Sequence, residues 1–298
     1  MKSFETPQFT WIYLENPQED DLKTIQDIFN LHPVFVDELR LPTYRPRVDE
    51  YHHYLFMVLH FPVFNRKTRA TEVGEIDILV NHKYLLTSCN KHQYPLFHYM
   101  ETLRRQQKNS YHKMPANSYE LLLHVIDILM NSCFPKLDHI ADNLNTIEEE
   151  IFAGKEQRMV REISVVKRDI LNFRRTIKPQ RSILESLRTK KMFENNLDLK
   201  TRLNDTIGTN IRVWNVLENH KETIDSLEAT NDSLFSYQLN EIMKTLTAIS
   251  AVLFSATLAV SLLQASNIPL MKEFWVLTSI IGILILSAFL FIKRKRWL

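Results

Sequence analysis

Two long apolar runs lie near the end of the chain, at residues 245–263 and 274–292. Each run has 19 residues and no charged side chain, and only the ten residues 264–273 separate them. A helix of that length, with a rise of about 1.5 Å per residue, extends about 28 Å and matches the hydrocarbon core of a bilayer. The pattern therefore predicts two consecutive transmembrane helices joined by a short loop.

The charges beside these runs predict their orientation. Lys293 to Arg296 are all basic and follow the second run, whereas the loop carries only Lys272, which Glu273 balances. Basic residues concentrate on the cytoplasmic side of membrane proteins. We therefore expect a multi-pass protein of the inner (cytoplasmic) membrane, with both termini in the cytoplasm, an extracytoplasmic loop and a basic cytoplasmic tail at 293–298. No cleaved signal is expected, because no apolar stretch follows the first residues.

A polar seam follows one face of the first predicted span and of the segment before it. Its members recur in alternating steps of three and four residues, and seven of the twelve carry a hydroxyl while two carry an amide. The seam consists of Ser226, Ala229, Ser233, Ser236, Asn240, Met243, Thr247, Ser250, Phe254, Thr257, Ser261 and Gln264. An unsatisfied polar group in hydrocarbon is costly, so the seam is predicted to face protein or water.

Two interpretations of the seam remain open from the residues alone. Small hydroxyl residues let transmembrane helices approach closely, which favours dry packing between helices. Identical helices that surround a water-filled axis would also place the seam away from lipid. A simple membrane anchor would need no such seam.

The part of the chain before the apolar runs divides by its proline content. Nine of the eleven prolines precede residue 136, and none lies between Pro179 and Pro269. Short β-rich runs at 54–61, 75–80 and 84–88 alternate with turn residues, and Asn81-His82-Lys83 has the composition of a hairpin connection. Helical spacing occurs at residues 20–29 and 33–39. Residues 1–117 are therefore predicted to form a cytoplasmic mixed α/β domain.

Helical spacing of apolar residues begins at Ser118 and indicates a different architecture. Residues 118–198 are predicted to form an antiparallel helical pair, interrupted at Gly154 and bent near Pro179. A stalk helix is predicted from 199 to 244 that continues into the first span. The fold class expected is thus an α+β membrane protein with a cytoplasmic α/β domain, a long helical stalk and two C-terminal transmembrane helices.

Composition excludes several classes of function. The net charge of +2 leaves no basic patch outside the C-terminus, so no nucleic-acid partner is expected. Cys89 and Cys133 fit buried residues in a reducing compartment. No nucleophile elbow, phosphate loop or His-Glu-x-x-His string occurs, so no catalytic residues are assigned and the chain is not expected to be an enzyme.

Several strings resemble the CorA family of divalent-cation transporters. The string Asn240–Thr247 resembles the start of the family's first transmembrane helix, and Arg45–Leu59 and Glu75–Asn90 are similar to its early sheet motif and the hairpin that follows. Shorter matches in the family's order are Phe134–Leu137, Glu148–Phe152, Lys178–Arg181 and Lys295–Leu298. Each string is weak alone, but together they span nearly the whole chain.

The resemblance implies a homopentamer in which each copy contributes its first transmembrane helix to a central pore and places the second outside. The pore-lining residues carried over by position are Asn240, Met243, Leu246, Thr247, Ser250, Phe254, Thr257 and Ser261. Rings of Met243 and Leu246 would form the apolar gate, and Phe254 a second bulky ring. The implied partners are membrane lipid, other copies of the chain and divalent cations. Magnesium is the expected transported and regulatory ion, without a covalently bound cofactor.

The predicted outer mouth departs from the family pattern. The family normally has Gly-Met-Asn at the end of its first helix, and gapless alignment from Asn240 places Gln264, Ala265 and Ser266 there. Asn267 lies one residue later and supplies an amide, but one step rotates a helical side chain by about 100°. The divergence leaves open a changed selectivity, for zinc, cobalt or monovalent ions, and a non-conducting scaffold or sensor.

One acidic position is carried over as a regulatory candidate. Counting back along the stalk helix places Asp205 where the family has an acid that holds cytoplasmic magnesium between protomers. Ala229 occupies a position where another stalk acid occurs in the family. The partner of Asp205 cannot be placed from the sequence.

Overall fold

The computed structural model describes residues 1–31, 33–40, 43, 45–65, 70–109, 114–194, 196–265, 279 and 282–283. Contacts divide the chain into two units. One contains Met1–Ala153 with Arg158–Leu227, and the other contains Gly154–Gln157 with Glu228–Leu298.

A mixed sheet forms the centre of the first unit. Its strands, among the described residues, are β1 (Lys2–Glu5), β2 (Thr10–Glu15), β3 (Arg47–Glu50), β4 (Leu55–Asn65), β5 (Ala70–Val80) and β6 (Tyr84–Cys89). Their order across the sheet is β1-β2-β6-β5-β4-β3. The β2–β6 pair is parallel and the other pairs are antiparallel. The predicted α/β fold with a sheet is confirmed.

The turn between β5 and β6 has the predicted position. The side-chain Oδ1 of Asn81 accepts hydrogen bonds from the backbone N–H of Lys83 (2.9 Å) and of Tyr84 (2.7 Å). An asparagine that bonds to the backbone two residues on stabilises a tight turn. The turn therefore closes the hairpin and sets the register in which Val80 lies opposite Leu85.

Two helices, α1 (Glu19–Phe29) and α2 (Pro33–Arg40), cover one face of the sheet. Gln18 and Asp21 form a reciprocal capping box at the start of α1. The hydrophobic core between the helices and the sheet comprises Ile12, Leu14, Leu22, Ile25, Phe29, Leu31, Leu39, Tyr54, Phe56, Val58, Leu79 and Leu86. Burial of this apolar surface fixes α1 and α2 on the sheet.

A third helix, α3 (Tyr94–Asn109), was not predicted from the sequence. It buries Leu96, Met100 and Leu103. It contacts α4 (Ser118–Asn131), which in turn contacts β6 and β5. Helices from before residue 117 and from after it therefore both pack on the sheet, although the predicted domain boundary lies at that residue.

The helical region after Ser118 divides at the residues that interrupt helices. After α4 come α5 (Phe134–Phe152), α6 (Glu156–Ile177), α7 (Gln180–Leu187) and the short α8 (Lys191–Glu194). Gly154 lies between α5 and α6 with φ of +80°, a conformation that glycine adopts without strain. Pro179 lies between the end of α6 and the start of α7, so the helix is interrupted where the sequence predicts a break or a bend.

A single helix, α9 (Leu197–Ala265), has 69 residues and confirms the predicted long helix. It contains a window that is apolar and long enough to cross a membrane, and none of that window is buried. The second predicted span, the loop and the basic tail lie outside the described residues, except Ser279, Gly282 and Ile283, which are helical.

Candidate functional site

All eight predicted pore-lining residues lie on the C-terminal part of α9. Met243, Leu246 and Phe254 are more than half exposed, with Phe254 at 76%. Between residues 232 and 261, Ala248 alone is buried among the side chains that the structure describes. This part of the helix therefore presents its apolar and polar faces to surroundings beyond its own chain.

Several hydroxyl groups of the seam bond to their own helix. Thr247 donates to the carbonyl of Met243 (2.7 Å), Thr257 to that of Leu253 (2.8 Å) and Ser261 to that of Thr257 (2.9 Å). Serine and threonine commonly bond in this way to a carbonyl four residues earlier. These hydroxyls are satisfied without water, so the sequence argument that lipid would penalise them was too strong.

The spacing of the seam carries more information than its polarity. Asn240, Thr247, Phe254 and Ser261 follow one another at intervals of seven residues, and Met243, Ser250 and Thr257 form a second set at the same interval. A strict seven-residue repeat drifts by about 20° per repeat around a straight helix, and neighbouring helices that keep it facing one another supercoil. The repeat is therefore typical of a helix that packs against similar helices.

The predicted outer mouth is only partly described. Gln264 and Ala265 lie in the last turn of α9, and their side chains are not described. Ser266 and Asn267 lie outside the described residues. Two of the four predicted mouth residues therefore belong to the seam helix itself.

Asp205 lies beside a second carboxylate that sequence reasoning missed. Asp205 on α9 and Asp127 on α4 line one cavity of about 120 Å³. The other lining residues are Leu123, His124, Arg202 and Thr206. Burial is the main cause that raises the pKa of Asp127; His124, Asn131 and Arg212 lower it, and the charge of Asp205 adds a smaller upward contribution. The two carboxylates thus repel each other across the cavity, as expected for a pair that a cation would stabilise.

The basic group of this cavity is directed at other partners. The Nη2 of Arg202 forms an ion pair with the Oε1 of Glu120 at 2.9 Å, and its Nη1 donates to the Nε2 of His124 at 3.1 Å. Burial lowers the pKa of His124, as does the nearby guanidinium of Arg202, so His124 is the neutral acceptor. Arg202 is therefore arranged around Glu120 and His124 rather than as a counter-ion of either aspartate.

The aspartate pair is not a complete metal site within one chain. In the part of the chain that the structure describes, no group of three or more His, Cys, Asp or Glu side chains could hold a metal ion. Two carboxylates suffice for a magnesium ion that retains several waters.

The sequence does contain a local signal for Asp127. It is the only carboxylate between Leu121 and Met130, a stretch of α4 that is otherwise apolar except for His124. A half-buried acid in an apolar helix is costly unless it has a partner or a role. That cost, rather than any motif, is what could have drawn attention to it.

A comparison with known families identifies the chain. The family model described as "CorA-like Mg2+ transporter protein" matches residues 7–295. The chain belongs to the CorA family. It is accordingly a membrane transporter of divalent cations, and membership of this family of ion transporters confirms the expectation that it is not an enzyme.

Curated relatives of this CorA-family chain match it over nearly its whole length. The putative metal ion transporter YfjQ of Bacillus subtilis is 24% identical, over 98% of this chain and 92% of the relative. The cobalt/magnesium transport protein CorA of Thermotoga maritima is 23% identical, over 97% and 83%. The zinc transport protein ZntB of Yersinia enterocolitica is 20% identical, over 97% and 88%.

Solved structures share the fold. The complete structure of the CorA magnesium transporter from Methanocaldococcus jannaschii has a TM-score of 0.85 and 18% identity, and covers 100% of this chain and 94% of that one. The full-length CmaX protein has a TM-score of 0.74 and 19% identity, with 98% and 90% covered. The fold of this CorA-family member is therefore that of full-length relatives.

Proposed function

We propose that five copies of this chain assemble around α9 and conduct magnesium passively across the inner membrane. The observation that carries the proposal is the seven-residue repeat of α9 from Asn240 to Ser261, whose side chains are mostly exposed in the single chain. Five such helices would bring their seams together at one axis. Each chain would cross the membrane twice, at residues 245–263 and 274–292, with both termini in the cytoplasm.

The gate is proposed at the cytoplasmic end of this axis. Met243 and Leu246 are 57% and 54% exposed in the single chain, and one copy of each from every helix would form two apolar rings. A narrow apolar constriction loses its water and blocks a hydrated ion until it widens. Phe254, at 76% exposure, would form a bulky ring farther along the pore.

Magnesium is proposed from the family and from the chemistry of the mouth. Gln264, Ser266 and Asn267 offer neutral oxygens, which suit an ion that keeps its water shell. A second candidate is a channel of changed selectivity, favoured by the absence of Gly-Met-Asn and by relatives named for cobalt and for zinc transport. The third is a non-conducting scaffold or sensor.

Regulation is proposed at the cavity of Asp127 and Asp205. Magnesium bound there from the cytoplasm would relieve the repulsion between the two carboxylates. If that binding is tighter in the closed assembly, it shifts the population toward the closed state. Falling cytoplasmic magnesium would then release the closed state and raise flux.

Flux measured in liposomes tests the conducting function. The purified full-length protein is reconstituted into liposomes that contain a dye selective for the ion under test, and Mg²⁺, Co²⁺, Zn²⁺ and K⁺ are added outside in turn, each with its own dye. Magnesium flux above that of protein-free liposomes is expected. Met243→Asp should raise this flux, because a charged ring keeps the constriction hydrated. Absence of flux for every ion would favour the scaffold, and flux of another ion without magnesium would favour changed selectivity.

The mouth is tested by restoring the family motif. Changing Gln264-Ala265-Ser266 to Gly-Met-Asn should raise magnesium flux if the present mouth limits it, because the substitution supplies the ring that the family uses for a hydrated cation. The single change Ala265→Ser is the control. Native mass spectrometry of the detergent-solubilised protein tests the assembly, for which five copies of the 35.3 kDa chain are expected.

A further inference from the structure

The sheet face beneath α1 and α2 changes from apolar to polar along its strands. One row of paired residues across this face is apolar and consists of Ile12, Leu86, Leu79 and Phe56. The next row consists of Leu14, Ser88, Asp77 and Val58. Beyond it Glu75 lies opposite His60, with Asn16 and Asn90 directly after β2 and β6. Hydrophobic packing therefore stops where β2 and β6 end.

A cavity of about 170 Å³ lies at this polar end and is here called the sheet-end cavity. Its lining residues are Asn16, Pro17, Gln18, Leu39, Arg40, Glu75, Asp77, Ser88 and Asn90. The carboxyl ends of neighbouring parallel strands are where α/β sheets most often bind ligands, and β2 and β6 form the parallel pair here. The volume accommodates several water molecules.

Asp77 is the residue that the fold does not explain. It is only 6% exposed, it lines the cavity, and its Oδ1 has no hydrogen-bond partner among the described residues. Burial raises the pKa of this carboxyl well above its usual range, and the charge of Glu75 adds to the shift. A buried polar atom without a partner is costly and uncommon in folded proteins. This cost indicates that Asp77 binds a ligand in the cavity.

The neighbouring polar groups are oriented differently. The Oε2 of Glu75 accepts from the backbone N–H of Thr43 (2.7 Å) and lies 3.3 Å from the Nε2 of His60. The Oδ1 of Asn90 accepts from the backbone N–H of Glu75 (3.2 Å) and retains a second lone pair. Glu75 is thus fixed by the protein, whereas Asp77 faces the cavity with the hydroxyl of Ser88 opposite it.

The charge around the cavity favours a cation. The first turn of α1 carries Glu19, Asp20 and Asp21, which repel an anion from that helix terminus. Arg40 lines the cavity but is paired with Glu19 at 2.9 Å and Asp37 at 3.4 Å. The remaining polar lining consists of carboxylate, hydroxyl and amide groups, whose oxygens are the ligands that Mg²⁺ and Ca²⁺ prefer.

We propose that the sheet-end cavity binds one magnesium-class divalent cation, held by Asp77 with the hydroxyl of Ser88, the amide oxygen of Asn90 and water. The cation would join β5 to the end of β6, in a cavity that the chain leading into α1 also lines. The site shares no residue with the cavity of Asp127 and Asp205 and does not depend on whether the chain conducts ions. Its role is to couple the packing of the α/β domain to the concentration of free cation.

Hydrogen exchange of the full-length protein in detergent tests the site. The experiment uses Asp127→Asn/Asp205→Asn protein, so that the other carboxylate cavity does not contribute. Exchange is compared in about 10 mM MgCl₂, above the dissociation constants of most weak oxygen-ligand sites, and in KCl of equal ionic strength. We expect magnesium to slow exchange in peptides that cover residues 16–21 and 88–91.

Variants decide between the site and a general effect of salt. Asp77→Asn should abolish the slowing, whereas Glu72→Gln should leave it intact, because Glu72 lies on the same strand but is bonded to Asn65 and Lys91. Slowing that persists in Asp77→Asn, or its absence in the parent protein, would overturn the proposal. If Asp77→Asn does not fold, Ser88→Ala should raise the magnesium concentration for half-maximal slowing several-fold, and an unchanged value would likewise refute the site.

Discussion

The N-terminal and C-terminal halves of α9 differ in where their apolar side chains are placed. From Leu199 to Leu227 the helix buries an apolar face inside its own chain. The buried apolar residues of that half are Leu199, Leu203, Ile207, Val213, Leu217, Ile224 and Leu227. From Ile242 to Val260 the corresponding side chains are largely exposed, with Leu253 at 62% and Leu258 at 62%.

The difference shows that one continuous helix meets two solvents. The first half obtains its stability from packing within the chain, as a soluble helix does. The second half has more exposed apolar surface, as expected for the part of a membrane transporter that lies in the bilayer. The helix therefore has one half that packs within its own chain and another half whose apolar side chains are left exposed by that chain.

The largest expected effect concerns the two faces of the C-terminal half of α9, the seam and the face beside it. Thiol modification of Thr257→Cys with a charged, water-soluble reagent should reduce ion flux by roughly tenfold or more, because a bulky charge would occupy the pore. Leu258→Cys, rotated by about 100° toward lipid, should retain its flux. The native thiols give little background, since Cys89 and Cys133 are buried and burial raises the pKa of Cys133 to about 12. An equal loss of ion flux after modification at the two positions would contradict a pore-facing seam.

The next largest effect separates the halves by stability. Leu217→Ala should lower the free energy of unfolding by about 2–5 kcal/mol, because Leu217 is fully buried and its truncation leaves a cavity. Leu253→Ala should have a much smaller effect in detergent, where micelle contacts replace lipid. Thermal unfolding of the full-length protein, followed by circular dichroism, compares the two. Comparable losses would mean that the second half also packs tightly within one chain.

A smaller effect is expected at the aspartate pair. Asp205→Asn or Asp127→Asn should raise the magnesium concentration that half-inhibits flux by about tenfold, which corresponds to roughly 1.4 kcal/mol of coupling. The double variant should add little to either single change, because both remove the same site. Asp198→Asn, at an exposed position at the start of α9, is the matched control. Inhibition that is unchanged in all three variants would remove the regulatory role.

The smallest effect concerns a half-buried ion-pair group on the first half of α9. Asp225 lies 2.8 Å from the Nζ of Lys221 and 3.0 Å from that of Lys167, and the hydrogen bond from Lys221, together with that from Lys167, lowers its pKa. A lowered pKa gives stability that is present above the ordinary carboxyl value of about 4 and is lost as the pH falls below it. Asp225→Asn should cost at most about 1 kcal/mol at neutral pH. The unfolding temperature of the Asp225→Asn variant should also depend less on pH between pH 5 and 3 than that of the parent protein. An equal pH dependence would show that Asp225 does not contribute this stability.

The features that local rules govern were predictable from the sequence. The turn at Asn81–Lys83 follows from turn chemistry, and the length of α9 from a stretch without proline. Sequence reasoning did not find α3, although Leu96, Met100 and Leu103 have helical spacing, because Tyr94–Asn109 is polar on average and gives a weak pattern.

The candidate sites were less predictable, since they depend on contacts between distant residues. No local pattern relates Asp127 on α4 to Asp205 on α9, and only the packing of the two helices brings them to one cavity. The sheet-end cavity likewise requires the register that places Asp77 opposite Ser88. The hydroxyl bonds of the seam were overlooked because residue type alone does not say whether a hydroxyl bonds to its own helix.

Those hydroxyl bonds bear on biogenesis. In the proposed pentamer, a newly made chain would insert before it meets four other copies, and during that interval the seam would be in contact with acyl chains. Because Thr247, Thr257 and Ser261 each bond to a carbonyl one turn earlier, a lone copy can stay in the bilayer without a large penalty. On oligomerisation the same hydroxyls can rotate toward water, so insertion and assembly can proceed as two separate stages.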